Sequence, residues 1–187
     1  MMQWTRRIGL GLAVIFAVAL FAMVAVAEPP QTQAPKGVQA AGRGISMMAT
    51  GQKQGQIKGS SKDSSIPILH YTHQIVSPRD IQSGLPTGQR LHKPLVIRKE
   101  IDKASPLLAS ALVNNENLTK VELRFYNQTG INTYTIKLTN ANIALLEQKL
   151  DPDGVPIEEI AFTYQKIEWT WLDGNITTSD DWEARNP

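Results

Sequence analysis

The chain contains no cysteine. Disulfides, thiolate metal sites and a cysteine nucleophile are therefore excluded, while the compartment stays open, because a chain without thiols suits oxidising and reducing surroundings alike. There are only three histidines, and neither a Gly-x-Ser-x-Gly elbow nor a Gly-Lys-Ser/Thr phosphate loop occurs. Gly84-Leu85-Pro86-Thr87-Gly88 has phosphate-loop glycines but runs on into Gln89-Arg90, so it reads as a turn. A surplus of one charge is missing too. From Gly44 onward 15 Lys+Arg stand against 16 Asp+Glu, a net of −1, so the formal +2 of the whole chain arises in the N-terminal part. A mixed-sign, nearly neutral surface offers no basic stripe to a phosphate backbone, which argues against nucleic acid as a partner.

Long apolar runs are absent except at the start. Arg6 and Arg7 precede an uncharged stretch from Ile8 to Ala27 that closes on Ala25-Val26-Ala27. A basic start, an apolar centre and small residues two apart are the layout of a secretory signal peptide. The run is also long enough to cross a bilayer, so an uncleaved anchor is the competing reading, and membrane contact is expected only through this segment. Residues 28–43, rich in Pro, Gln, Ala and Gly, read as a flexible spacer. The remainder, 44–187, is long enough for one core.

Within it the dominant pattern is alternation. Val121, Leu123 and Phe125 alternate with Glu122, Arg124 and Tyr126; Tyr134, Ile136 and Leu138 alternate with Thr135 and Lys137. Asn127-Gln128-Thr129-Gly130 between them has hairpin chemistry. Strands are further expected over Ile45–Ala49, Gln56–Lys58, Ile66–Val76 and Leu95–Ile101, and Asn140–Leu150 is read as strand in this context. In Ile157–Trp171 the apolar residues change parity, from Ile160, Phe162 and Tyr164 to Ile167, Trp169 and Trp171. Such a strand contains a bulge or bridges two sheets. One helix is indicated: Ser105 as N-cap, Pro106 at the first helical position, an apolar stripe of Leu107, Leu108, Ala111 and Leu112, and Asn114-Asn115 as its end. The fold class is therefore mainly β, a closed or sandwiched antiparallel architecture with one flanking helix. Ser77–Lys93, with Pro78, Gly84, Pro86 and Gly88, is a long excursion without secondary structure of its own, and connections of that length tend to be functional.

Candidate chemical sites are weak. His70 and His73 sit three apart, on opposite faces of a strand, so they do not share a metal. Asp151-x-Asp153-Gly154 lacks the later oxygen ligands of a calcium loop and reads as a turn. Asp180-Asp181 and Glu183 read as a solvated acidic tail and not as an acid–base pair. Trp169, Trp171 and Trp182 could stack on a sugar but fit a core or subunit interface better. No constellation supports catalysis, and neither a metal nor a cofactor is expected.

Several segments taken together resemble the Hcp family, the haemolysin-coregulated tube proteins of type VI secretion. They are Ser77-Pro78-Arg79-Asp80, Gly84 to Arg90, His92-Lys93-Pro94-Leu95 and Lys99 to Leu108, followed by Val121 to Phe125, Tyr134 to Leu138, Phe162 to Trp171 and Asp180-Asp181-Trp182. The resemblance runs from about Ile45 to Glu183. It implies a β-barrel of two packed antiparallel sheets with a helix on its side, six copies to a ring, and rings stacked into a tube. A contractile sheath ejects that tube behind a spike, and small effectors ride inside. It further implies that the excursion projects to contact neighbours, which places assembly contacts on Arg79, Asp80, Thr87, Gly88, Arg90, His92 and Lys93. Arg79 and Asp80 carry opposite charges suited to pairing across a subunit boundary.

Members of the family usually start near the first strand, whereas this chain begins with a signal-like segment and a spacer. Met47 or Met48 as an internal start would discard both and trim Ile45 from the first strand. The alternative is a paralogue exported by the general pathway that acts as a periplasmic or surface binding module.

Overall fold

A computed structural model describes residues 44–182; the signal-like segment and the spacer lie outside the described residues. Eleven strands and one helix follow in order. They are β1 (Gly44–Gly51), β2 (Gly55–Ile57), β3 (Ile66–Ile68), β4 (His70–Thr72), β5 (Ile75–Val76), β6 (Leu91–His92), β7 (Leu95–Glu100), α1 (Ser105–Val113), β8 (Leu118–Tyr126), β9 (Asn132–Leu150), β10 (Pro156–Trp171) and β11 (Ile176–Asp181).

Nine strands form one antiparallel sheet in the order β2-β1-β8-β9-β10-β7-β4, with β3 added on β1 and β11 on β10. The segment from Ile66 to Thr72 closes it. Its first half pairs with β1, Met47 opposite Ile66, and its second half pairs with β7, Tyr71 opposite Ile97. Between the halves the Leu69 N–H donates to the Arg98 carbonyl at 2.8 Å. The two extremes of the sheet are thereby joined, and the two expected layers are parts of one curled, closed sheet. Its interior holds Met47, Leu123, Leu138, Ile97, Ile160 and Phe162, all shielded from solvent.

The β9–β10 register slips between Ala161 and Phe162, where Ile143 and not Ala144 becomes the partner, and the parity change in β10 follows between Tyr164 and Ile167, beside the pairs Tyr164–Ala141 and Lys166–Thr139. Asn140, opposite the point of change, has φ of 50°, a left-handed value that asparagine tolerates better than most residues. One edge of β10 is shared in succession by β7, opposite 157–162, and β11, opposite 166–171.

Two expectations are corrected. Ser105 is not the N-cap. Ala104 holds that place and no side chain caps the helix. The Ser105 hydroxyl is taken elsewhere: it donates to Glu158 Oε1 at 2.7 Å and accepts from Lys99 Nζ at 3.1 Å and the Asp102 N–H at 3.0 Å. A buried ion pair outcompetes the cap, because Lys99 and Glu158 are both inaccessible and joined at 2.8 Å. The expected strand over Ile66–Val76 is three short pieces, because its pairing passes from β1 to β7 and then to β6. Leu91 and His92 also leave the expected excursion and become β6.

Candidate assembly interface

The β4–β7 ladder does not stop at the barrel wall. Beyond Thr72 and Val96 the Lys93 N–H donates to the Gln74 carbonyl at 2.9 Å, and Ile75 and Val76 pair with His92 and Leu91. The Thr87 N–H then donates to the Pro78 carbonyl at 3.0 Å, Arg79 bridges Pro86, and the Asp80 N–H donates to the Leu85 carbonyl at 2.9 Å. The excursion is thus an arm, a hairpin extension of the barrel.

Its tip is held by Asp80. Oδ1 accepts the N–H of Ser83 at 2.7 Å, that of Gln82 at 3.1 Å and the Ser83 hydroxyl at 2.8 Å. These donors keep the Asp80 carboxyl below its ordinary range. Gly84 supplies the φ of 70° that the turn needs, and Arg79 Nη1 donates to its carbonyl at 3.1 Å. With Arg79, Asp80 and Ser83 engaged internally, the tip turns out two apolar side chains: Ile81 is 101% exposed and Leu85 65%.

The root of the arm is tied to β10 and β11 by a polar chain. Arg90 grips the Asp180 carboxylate with two nitrogens and the Asp181 carbonyl with a third contact at 3.0 Å. His92 Nε2 is 2.7 Å from Asp180 Oδ2, His92 Nδ1 is 2.8 Å from the Tyr164 hydroxyl, and His73 Nε2 is 2.6 Å from the same hydroxyl. A direction follows with His92 neutral. Its Nε2 donates to the carboxylate, so Nδ1 accepts from the Tyr164 O–H, and the Tyr164 oxygen accepts from His73 Nε2–H. Burial, with the Asp180 charge adding to it, holds the Tyr164 phenol well above its ordinary value, so it stays neutral. Arg90 first, then His92, pulls Asp180 below the carboxylate range. Trp182 packs toward His92, ring centres 5.1 Å apart, and Trp169 toward His73 at 6.4 Å. Two of the three tryptophans considered as a sugar platform therefore belong to this cluster.

The seven residues expected at the interface fall into two groups. Arg79, Asp80, Thr87 and Gly88 lie on the exposed arm, and Lys93 is exposed at its base. Arg90 and His92 are engaged with Asp180 in their own chain. Asp80 does not pair with Arg79; it organises the tip. Sequence reading missed Ile81 and Leu85, whose signal was two apolar residues in an otherwise polar loop. It also missed Asp180 and Tyr164, distant in sequence, which no local pattern could have joined to His92. His70 and His73 are separate, His70 bonding Thr72 at 3.1 Å. Asp151 closes a turn by accepting from the N–H groups of Asp153 and Val155.

Fold and site together define a β-barrel protein with a projecting hairpin, whose polar clusters hold elements in place. The family model described as type VI secretion system effector, Hcp, matches residues 46–171. The Major exported protein of Pseudomonas aeruginosa is 38% identical over 162 residues, covering 74% of this chain and 94% of that protein. Among solved structures, the secreted protein Hcp3 from Pseudomonas aeruginosa matches with a TM-score of 0.63 at 32% identity, covering 74% of this chain and 99% of that one. Hcp1 of E. coli EAEC 042 matches with a TM-score of 0.68 at 29% identity, over 74% and 99% of the respective chains. The chain belongs to the Hcp family of type VI secretion proteins, a structural family of the secretion machine.

Proposed function

We propose that this chain is a tube subunit: six copies close a ring, rings stack, and the tube is ejected with small effectors in its bore. Its partners are further copies of itself, the spike and sheath proteins and the effector cargo. The assembling domain is 44–187; the tube forms in the cytoplasm and ends outside the cell. The arm carries this reading. Covering a side chain such as Ile81 contributes about 1.5–3 kcal/mol, a gain that the single chain leaves unrealised.

Carriage of cargo is supported by the outward face of β1, β8, β9, β10 and β11. Thr135, Thr170 and Thr177 lie across it in register, and its charges pair locally. Arg124 bonds Glu122 at 2.6 Å and Lys137 bonds Glu168 at 3.4 Å. A wettable wall with neutralised charges can hold a folded protein without trapping it.

Native mass spectrometry and electron microscopy of protein isolated from its own cells test the reading. Hexamers and six-fold particles are expected; a strict monomer at micromolar concentration overturns it. A second reading, the exported periplasmic or surface binding module, is favoured by the signal-like layout that ends at Ala25-Val26-Ala27. A mature N-terminus at Glu28 on a monomer would establish that reading instead.

A further inference from the structure

The arm and the barrel are separate sheets that meet at a break in the ladder. Thr72 faces Val96 in the barrel wall, and Ile75 faces His92 in the arm. Between these pairs the first strand takes three steps and the second takes four, so one extra residue lies on the second strand. Pro94 falls in that stretch and has no N–H to give to a rung. A ladder with an added residue and a missing donor bends at that place. Side chains on both strands hold the arm against β10 and β11 across this break. On the second strand, Arg90 and His92 grip Asp180, a carboxylate that Arg90 first and His92 next keep ionised. On the first strand, His73 Nε2 meets the Tyr164 hydroxyl at 2.6 Å.

We propose that the arm root is an acid-operated latch: protonation of His73 and His92 frees the first strand from Tyr164, and the arm swings at the Lys93–Pro94 break while Arg90 and Asp180 stay joined as its pivot. The phenol has one proton, and it goes to His92 Nδ1 at 2.8 Å. A proton taken up by His92 fills Nδ1, so the phenol O–H then meets an N–H instead of a lone pair. A further proton on His73 sets two positive rings with centres 6.1 Å apart. The groups facing His73 are Tyr164 and Trp169 on β10 and His92 on β6. His92 is faced by Tyr164, by Asp180 on β11 and by Trp182, with Lys93 next to it in the chain and Arg90 and Asp181 beyond Asp180. Asp180 is bonded to His92 and not to His73, so its charge steadies the pivot and leaves the latch uncompensated. Burial, and His92 next, oppose a charge on His73 in the closed form, so acid favours the open one. If the closed form excludes that proton entirely, an imidazole of ordinary value 6.5 raises the open population about thirtyfold between pH 7.5 and pH 5. That such opening loosens assemblies rests on the tube reading; the movement of the arm does not.

The absence of cysteine permits a direct test on the full chain. Spin labels on Gln82→Cys, at the arm tip, and Thr177→Cys, on β11, are expected to report one narrow distance at pH 7.5 and a broad distribution at pH 5. Hydrogen exchange at Ile75 and Val76, scaled to the intrinsic rate at each pH, is expected to quicken by up to about thirtyfold, while Ile97 and Ile160 in the barrel keep their protection. His73→Gln keeps a donor for the phenol but takes no proton, and should hold the arm closed at both pH values. Tyr164→Phe should leave it open at both. Unchanged distances in the parent at pH 5, a His73→Gln protein that opens as the parent does, or barrel amides that quicken together with those of the arm each overturn the latch. Electron microscopy of the same samples keeps the two readings apart. Rings with an arm indifferent to pH refute the latch and leave the tube reading standing. An arm that opens in protein forming no rings at either pH supports the latch and overturns the tube reading.

Discussion

His92 Nδ1 stands 2.8 Å from the Tyr164 hydroxyl, and this contact fastens the second strand of the arm to the middle of β10. The same hydroxyl serves His73 on the first strand, so one phenol oxygen holds both strands of the hairpin at its root. Tyr164→Phe removes the oxygen, keeps the ring and leaves a nitrogen of each imidazole without a partner. An abandoned buried polar group costs about 1–3 kcal/mol. A loss of that size in urea unfolding is expected, with unchanged slope and faster hydrogen exchange at Ile75 and His92. A midpoint equal to the parent's would show that water replaces the phenol without cost.

The same cluster sets a pH dependence. Burial, and next the nearby His92, push His73 below its ordinary value of 6.5. The folded state therefore binds its proton less readily than the unfolded chain. Stability is full above about pH 6.5, falls as the pH drops below that value, and levels off once the depressed folded value is passed. Tyr164, His92 and Trp169 face His73, and Asp180 lies one residue further along the chain of bonds. Urea midpoints between pH 7.5 and pH 5 should decline for the parent and decline less for His73→Gln. Equal slopes in the two proteins would place the titration elsewhere.

Lys99 and Glu158 make the sharpest stability prediction. Lys99 Nζ meets Glu158, Asp102, the Ser105 hydroxyl and the Glu100 carbonyl, all within 3.1 Å. Lys99→Met leaves the Glu158 charge inside the barrel with one hydroxyl and the Gln148 amide as partners. Removing one member of such a pair costs about 3–5 kcal/mol, whereas replacing both by apolar residues is often close to neutral. The double variant Lys99→Met with Glu158→Leu should therefore recover much of the loss in a double-mutant cycle. A double variant as weak as the sum of its parts would show the two residues acting independently.

Much of the barrel was legible because alternation is a local property. The parities of Val121 to Tyr126 and Tyr134 to Leu138 are written in consecutive residues, and so is the change of parity in β10. What was not legible depended on residues far apart in sequence. Ser105 has every local mark of a cap, yet Glu158 claims its hydroxyl. His92 resembled an interface residue because its partners, Tyr164 and Asp180, come from strands that only the closed sheet brings near. Asp80 looked like a charge for pairing across a subunit boundary; its three donors come from the turn that Gly84 allows, and turn geometry is only weakly encoded in composition. Ile81 and Leu85 were visible as apolar residues, but only the closed tip shows that, among the described residues, nothing covers them.

The position of β1 gives a last prediction, which bears on where translation starts. Ile45, Ser46 and Met47 pair on one edge with Phe125, Arg124 and Leu123 of β8, and on the other with Ile68, Pro67 and Ile66 of β3. A chain that begins at Met48 loses all of these pairs, and β3 loses its strand partner among the described residues. It also loses the Met47 side chain, which is fully shielded in the core. Deleting a buried side chain of that size alone costs about 2–5 kcal/mol, against a total of about 5–15 kcal/mol for a typical domain. Protein starting at Gly44 should therefore unfold at the same urea concentration as the mature form, while protein starting at Met48 should unfold several kcal/mol earlier or fail to stay soluble. If the Met48 form matches the Gly44 form, closure of the barrel does not depend on β3 lying against β1, and an internal start at Met48 becomes compatible with a functional subunit.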